Sequence, residues 1–95
     1  MPAAQRRGDP NTAGGVITSI PQSTVFINGR LASVNGSQGT SHDPCPKPPI
    51  HCAGNWSTAG GVATVRAGGI PINVDGNADT CGHSRTSGSG NVNIG

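Results

Sequence analysis

Apolar and polar residues alternate along this chain in short bursts. Thr24-Val25-Phe26-Ile27 leads directly into Asn28-Gly29, the dipeptide that best supplies the two positive-φ residues of a tight hairpin turn. Val62-Ala63-Thr64-Val65 is followed by Gly68-Gly69, Ile72-Asn73-Val74 runs into Asp75-Gly76, and Val92-Asn93-Ile94 repeats the alternation once more. No window of ten or more residues carries the spacing of an amphipathic helix, and Gly or Pro interrupts each candidate. The pattern predicts an all-β fold of many short strands joined by tight turns.

The bursts also recur. A shift of 40 positions superposes Thr24-Val25 on Thr64-Val65, Gly29 on Gly69, Val34 on Val74, Gly36 on Gly76 and Thr40 on Thr80. Gly90-Asn91-Val92-Asn93-Ile94-Gly95 resembles a truncated third copy of Thr24–Gly29. Gly and Val are abundant here, so part of the match is compositional, but the glycines fall at equivalent turn positions. Repeated hairpins of this kind predict a pseudo-threefold body in which each copy buries a face against the next. Between the copies, four prolines fall within Ser41–Cys52. They exclude a helix or a central strand and predict a stiff, extended loop.

Composition turns this pattern into a stability problem. The chain has 95 residues, enough for a single domain spanning 1–95. Phe26 and Trp56 are its only large aromatics, while 16 glycines and 8 prolines add backbone that contributes no core. A chain this size buries only about 60–65% of its unfolded surface. The low charge argues against outright disorder, so a staple is expected: a metal, disulfides or a partner subunit. The net charge of +2 is spread over Arg6, Arg7, Arg30, Lys47, Arg66 and Arg85, which is no footprint for nucleic acid. No apolar run approaches the ~20 residues of a membrane span. The N-terminal residues also lack the apolar stretch of a secretory signal, so the expectation is synthesis in the cytoplasm and, where the protein leaves the cell, export by another route.

Every Cys and His lies between residues 42 and 83: His42, Cys45, His51, Cys52, Cys81 and His83. Three cysteines cannot all pair internally, and their company of histidines points to metal rather than to bridges. Thiolate and imidazole donors in a closed tetrahedral shell are what structural zinc prefers. The Gly of Cys81-Gly82-His83 permits a turn that brings both side chains together. His51 and Cys52, being adjacent, point to opposite faces of an extended segment, so only one of them is expected to bind. The spacing matches no standard zinc-finger pattern, and other readings stay open. Cys45 and Cys52 can form a local disulfide, either can be an inert core residue, and the histidines can be ordinary loop residues. Catalysis fits poorly. The only acids are Asp9, Asp43, Asp75 and Asp79, and Asp43 reads as a turn residue before Pro44.

These residues resemble the PAAR-repeat family. Pro2-Ala3-Ala4-Gln5-Arg6-Arg7-Gly8-Asp9 is similar to the naming motif, with Gln5 in the Arg position and the Gly-Asp pair displaced. Ser23–Arg30 followed by Asn35-Gly36 looks like the family's strand-turn unit, and Gly69–Gly76 like a degenerate second copy. Thr80-Cys81-Gly82-His83 is similar to its Cys-Gly element, and Gly88–Gly95 to its last hairpin.

The resemblance implies a small conical fold of short hairpins with a metal near the vertex, bound by three His and one Cys. Carried over, the ligands are His42, His51, Cys81 and His83, with Cys45 or Cys52 as second choice for the thiolate, and zinc as the ion with iron the alternative. It implies a non-enzymatic spike tip, monomeric by itself and without affinity for nucleic acid. One such tip caps and sharpens a trimeric β-helical spike, either the VgrG spike of a type VI secretion system or the central spike of a contractile-tail phage baseplate. That places it in a virion or on a secreted spike in transient contact with a target cell envelope. Val25, Ile27, Val65, Ile72, Val92 and Ile94 are expected to cover the spike's strand ends. The alternatives are a free metal-binding or thiol redox module using Cys45 and Cys52, and a small metal-dependent hydrolase.

Overall fold

The computed structural model describes residues 2–43, 45 and 49–94. The described residues are all-β with no α-helix. They contain six short strands: β1 (Ile17–Ser19), β2 (Phe26–Ile27), β3 (Arg30–Leu31), β4 (Gln38–Gly39), β5 (Val62–Ala67) and β6 (Ile70–Ile72). They pair antiparallel as β1–β4, β2–β3 and β5–β6. The last two are the expected hairpins. Asn28-Gly29 closes the first with φ of 55° and 78°, and Gly68-Gly69 closes the second with φ of 60° and 82°. Both residues of each turn are left-handed, the geometry that matches the twist of the flanking strands. A bulge lies between Val62 and Arg66.

Much of the remaining backbone is held by hydrogen bonds that come in threes. The Gln5 N–H donates to the Asn73 carbonyl, Asn73 to Ser33, and Ser33 back to Gln5, each at 2.9 Å. This closes a ring of three chain segments. Each segment then enters the same turn. The N–H groups of Asp9, Ser37 and Asn77 donate to the carbonyls of Arg6, Val34 and Val74 at 3.0, 3.0 and 3.1 Å. In return, Asp9 Oδ2, Ser37 Oγ and Asn77 Oδ1 accept the N–H of Arg6, Val34 and Val74 at 2.8, 3.2 and 2.8 Å. Short polar side chains are suited to this role because they reach their own nearby backbone. Gly8, Gly36 and Gly76 occupy the third turn position at φ of 89°, 90° and 92°, a left-handed backbone that strains any residue with a Cβ. Their N–H groups donate to the carbonyls of Ile17, Thr58 and Arg85 at 2.8, 3.0 and 2.8 Å.

The two ends of the chain meet. Val92–Ile94 does not turn back on its own neighbours: Ala3 bridges to Asn93, Ala4 N–H donates to Val92, and Ile94 N–H donates to Pro2. The Pro-rich segment also differs from the expected extended loop. Pro49–His51 forms one 3-10 turn, which proline tolerates at its start because the missing N–H would have no partner there. Pro44, Pro46, Lys47 and Pro48 lie outside the described residues.

The core is small. Ala4, Ile27, Ala32, Val34, Ala67 and Ile72 form its buried cluster, with Ile20, Val62, Val65, Ile70, Val92 and Ile94 packed against it. Two of the apolar residues expected to face outward, Ile27 and Ile72, are therefore buried, because they occupy the inward positions of their hairpins. Val25 and Phe26 are exposed, Phe26 at 59%. The molecule is elongated, with extents of 34 × 23 × 22 Å.

Candidate metal centre

His42, His51, Cys81 and His83 converge from three segments. His42 follows β4, His51 ends the 3-10 turn, and Cys81 and His83 sit on one tight turn. That turn is closed by Asp79 N–H to the His83 carbonyl at 2.7 Å and Gly82 N–H to the Asp79 carbonyl at 3.0 Å. One donor atom from each residue lies within 4.8 Å of all the others. His42 Nε2 is 3.2 Å from His51 Nδ1 and 3.5 Å from Cys81 Sγ. Zinc bonds of about 2.0–2.1 Å to nitrogen and about 2.3 Å to sulfur put tetrahedral neighbours about 3.3 Å (N···N) and about 3.5 Å (N···S) apart. The four residues can hold a metal ion, and the two separations match that shell.

The protonation pattern also fits. His42 Nδ1 lies 3.4 Å from the Thr40 carbonyl, so a proton on Nδ1 leaves the Nε2 lone pair facing the cluster. A fixed tautomer of this kind is what metal-binding imidazoles require. His83 Nε2 is buried without a hydrogen-bond partner among the described residues. Burial and the facing imidazoles of His83 and His42 push His51 below its ordinary 6.5, towards the neutral form a metal needs.

Below the cluster lies a layer that sequence reasoning did not single out. Trp56 is buried, packs edge-to-face on His42 at 5.1 Å, and donates Nε1–H to the Thr40 carbonyl at 3.0 Å. Arg85 lies over the indole at 5.5 Å and pairs with Asp79 at 3.2 Å, both side chains being fully buried. Asn11 Nδ2–H donates to Asp79 Oδ2 at 3.0 Å. Burial pushes the Asp79 carboxyl up, against the hydrogen bond from Asn11 and the charge of Arg85. Burial likewise pushes Arg85 down, against the charge of Asp79. Gly15 leaves room for His42: a Cβ there would stand 2.5 Å from His42 Nδ1. The Gly15 carbonyl accepts from Arg85 at 3.2 Å, and its N–H donates to Asn11 Oδ1 at 2.9 Å.

The structure divides the six candidate donors. Cys45 and Cys52 form a disulfide, with Cα atoms 5.2 Å apart, and Cys81 is the free cysteine. The expectation of metal rather than bridges is thus overturned for Cys45 and Cys52, which offer no thiolate while bridged, and Cys81 lies in the cluster that could hold an ion. His51 faces the cluster while its neighbour Cys52 turns to the bridge, so one of the adjacent pair lies among the candidate donors.

No protein-family model matches this sequence, and no curated protein matches it significantly. No helix among the described residues is long and apolar enough to cross a membrane.

Proposed function

We propose that this chain is a non-enzymatic, metal-stabilised spike tip that seats on the end of a trimeric β-helical spike, one chain to three. The observation that carries this reading is the closed ring of Gln5, Asn73 and Ser33, with three equivalent turns around it. A single chain meeting a threefold partner must present three similar faces, and here three segments of one chain share one hydrogen-bond pattern. In this reading the three segments are pseudo-threefold equivalents, and the pairing of Pro2–Ala4 with Val92–Ile94 supplies the third. The exposed Val25 and Phe26 would cover strand ends whose backbone groups otherwise seek other chains. The resemblance to PAAR-repeat proteins points the same way, and implies a place in a phage baseplate or a type VI secretion spike.

In this reading His42, His51, Cys81 and His83 hold a structural ion, which supplies folding energy and no chemistry on a substrate. Zinc suits two or more imidazoles with one thiolate, and iron is the alternative. Four protein donors would leave no open position for a reacting water. The test is to mix the purified chain with trimeric spikes from both kinds of machine and weigh the complex. A one-to-three mass supports the tip. A three-to-three complex, or no binding to either kind, rejects it.

The Cys45–Cys52 bridge favours a second reading, a free thiol redox module. That reading predicts a readily reversible disulfide in a protein that binds no spike.

A further inference from the structure

We propose that the Cys45–Cys52 disulfide is a redox clasp on the metal centre, so that reducing it weakens the hold on the ion. The proposal rests on the reading of His42, His51, Cys81 and His83 as a metal site.

Two of those four donors stand on the two legs of the bridged loop. At its base, His42 N–H donates to the His51 carbonyl at 3.1 Å, and Ala53 N–H to Ser41 Oγ at 2.9 Å. Beyond the base, Cys45 N–H donates to the His42 carbonyl at 2.9 Å, and Cys52 N–H to the Pro49 carbonyl at 3.0 Å. The disulfide then joins Cys45 to Cys52. His42, Cys45, Cys52 and His51 thereby form one closed circuit, with the donor atoms of both histidines 3.2 Å apart across it.

Beyond the base, the second leg is held mainly by bonds within itself: Asn55 Nδ2–H donates to the Pro49 carbonyl at 2.9 Å and Asn55 N–H to the Cys52 carbonyl at 3.0 Å. Pro49, Ala53, Gly54 and Asn55 are exposed, and Ile50 is 40% exposed. His51 is the buried residue of the 3-10 turn, and it is buried against the other donors. Cys81 and His83 differ, because their turn is anchored on the buried Asp79–Arg85 pair. Opening the bridge therefore frees the His51 leg in the metal-free protein and leaves the other half of the site in place. The ion must then order that leg itself, and affinity falls by the entropy the bridge had already removed.

The redox step needs a thiol such as glutathione. Two glutathione thiols give two electrons and two protons: the Cys45–Cys52 S–S bond breaks, two cysteine thiols form, and one glutathione disulfide is released. The ion leaves without changing its oxidation state. A reducing compartment opens the clasp and an oxidising one closes it.

The test compares zinc affinity of the bridged full-length chain with that of the Cys45→Ser/Cys52→Ser variant, by competition with a chromogenic chelator. Serines avoid new thiolates that would themselves bind zinc. The expected result is affinity roughly tenfold or more weaker in the variant; equality within a factor of two overturns the clasp. If the bridged chain itself binds no zinc, the metal site fails, and the clasp with it. A reciprocal measurement covers a variant that does not fold. By linkage, saturating zinc must raise the ratio of bridged to reduced wild-type chain in a fixed glutathione buffer by the factor by which the bridged chain binds zinc more tightly than the reduced one. An unchanged ratio, or a shift towards the reduced form, rules the clasp out.

Discussion

His83 Nε2, buried and without a partner among the described residues, is a polar atom that costs stability unless something coordinates it. Replacing His83 by Ala removes one of four donors. The expected loss of zinc affinity exceeds the roughly 10- to 100-fold that follows when a ligand merely loses its supporting hydrogen bond. A well-folded variant that still titrates one zinc at full affinity would contradict the site. Gly15→Ala tests the support instead: its Cβ would press on His42 Nδ1, with Trp56 packed against the same ring. Affinity should fall by about 10- to 100-fold, with the far-UV circular dichroism of the zinc-loaded protein unchanged. Acid gives a third residue-level test. Because His51 titrates below 6.5 when folded, the unfolded chain binds more protons in the window just below 6.5. His51 therefore contributes a loss of stability to the metal-free protein as pH falls through that window, opposite in sign to the contribution of the raised Asp79 carboxyl. Urea melts at pH 7.5 and 5 should show this slope, and His51→Gln should flatten it; an unaltered slope would remove His51 as its source. The pool of candidate donors was legible in the sequence because all six lie between 42 and 83, whereas the four that converge were named only through the resemblance. The division of the cysteines was not, since one spacing serves a bridge and a ligand pair equally well. Gly15, Trp56, Asp79 and Arg85 were hidden because their partnership is made by the fold.

Turns organise the next level, and they separate two kinds of glycine. At Gly76 an added Cβ meets nothing within 4 Å, yet φ is +92°. The cost of Gly76→Ala is therefore conformational, about 1–2 kcal/mol. At Gly39 the backbone is ordinary, but a Cβ would run into the Val16 carbonyl and stand 2.8 Å from Trp56. Gly39→Ala must push β1 from β4 and disturb the indole under His42. It should cost more than Gly76→Ala and also lower zinc affinity, whereas Gly76→Ala should leave zinc affinity within a few-fold. Denaturant melts paired with zinc titration would decide; equal effects of the two variants would refute the distinction. Local signals made the β2–β3 and β5–β6 hairpins readable, because Asn28-Gly29 and Gly68-Gly69 sit between alternating strands. The β1–β4 pair was not readable: Gln38-Gly39 has no strand pattern, and its partner Ile17–Ser19 is distant in sequence. The pairing of Pro2–Ala4 with Val92–Ile94 was hidden for the same reason, and Gly88–Gly95 read instead as a hairpin of its own.

At the scale of the whole molecule, a buried cluster of six residues that includes three alanines is a thin basis for a fold of this length. Three-way hydrogen bonding adds order, but each such bond contributes only about 0.5–1.5 kcal/mol net. It must also offset the ordering of a glycine-rich backbone. The disulfide closes only a short loop, so by loop entropy it contributes about 2 kcal/mol, and that is confined to the Cys45–Cys52 segment. That leaves the His42, His51, Cys81 and His83 cluster as the feature that joins the segment after β4, the 3-10 turn and the Asp79–His83 turn at one point. An ion bound there stabilises the folded state by mass action, by about 4 kcal/mol at a free concentration 1,000 times its Kd. In a domain of this size each kcal/mol moves the melting temperature by about 4–8 °C. Exhaustive chelation should therefore lower the melting temperature by about 15–30 °C, and re-addition of zinc should restore it. Hydrogen exchange should show where the loss begins. The amides of Cys45, Cys52 and Gly82, whose turns carry the donors, should exchange faster at once, while those of Gln5, Ser33 and Asn73 should hold until the whole fold gives way. A melting temperature indifferent to chelator, or a ring of three amides that opens before the donor-bearing turns, would mean that the core and the backbone carry this fold without the ion.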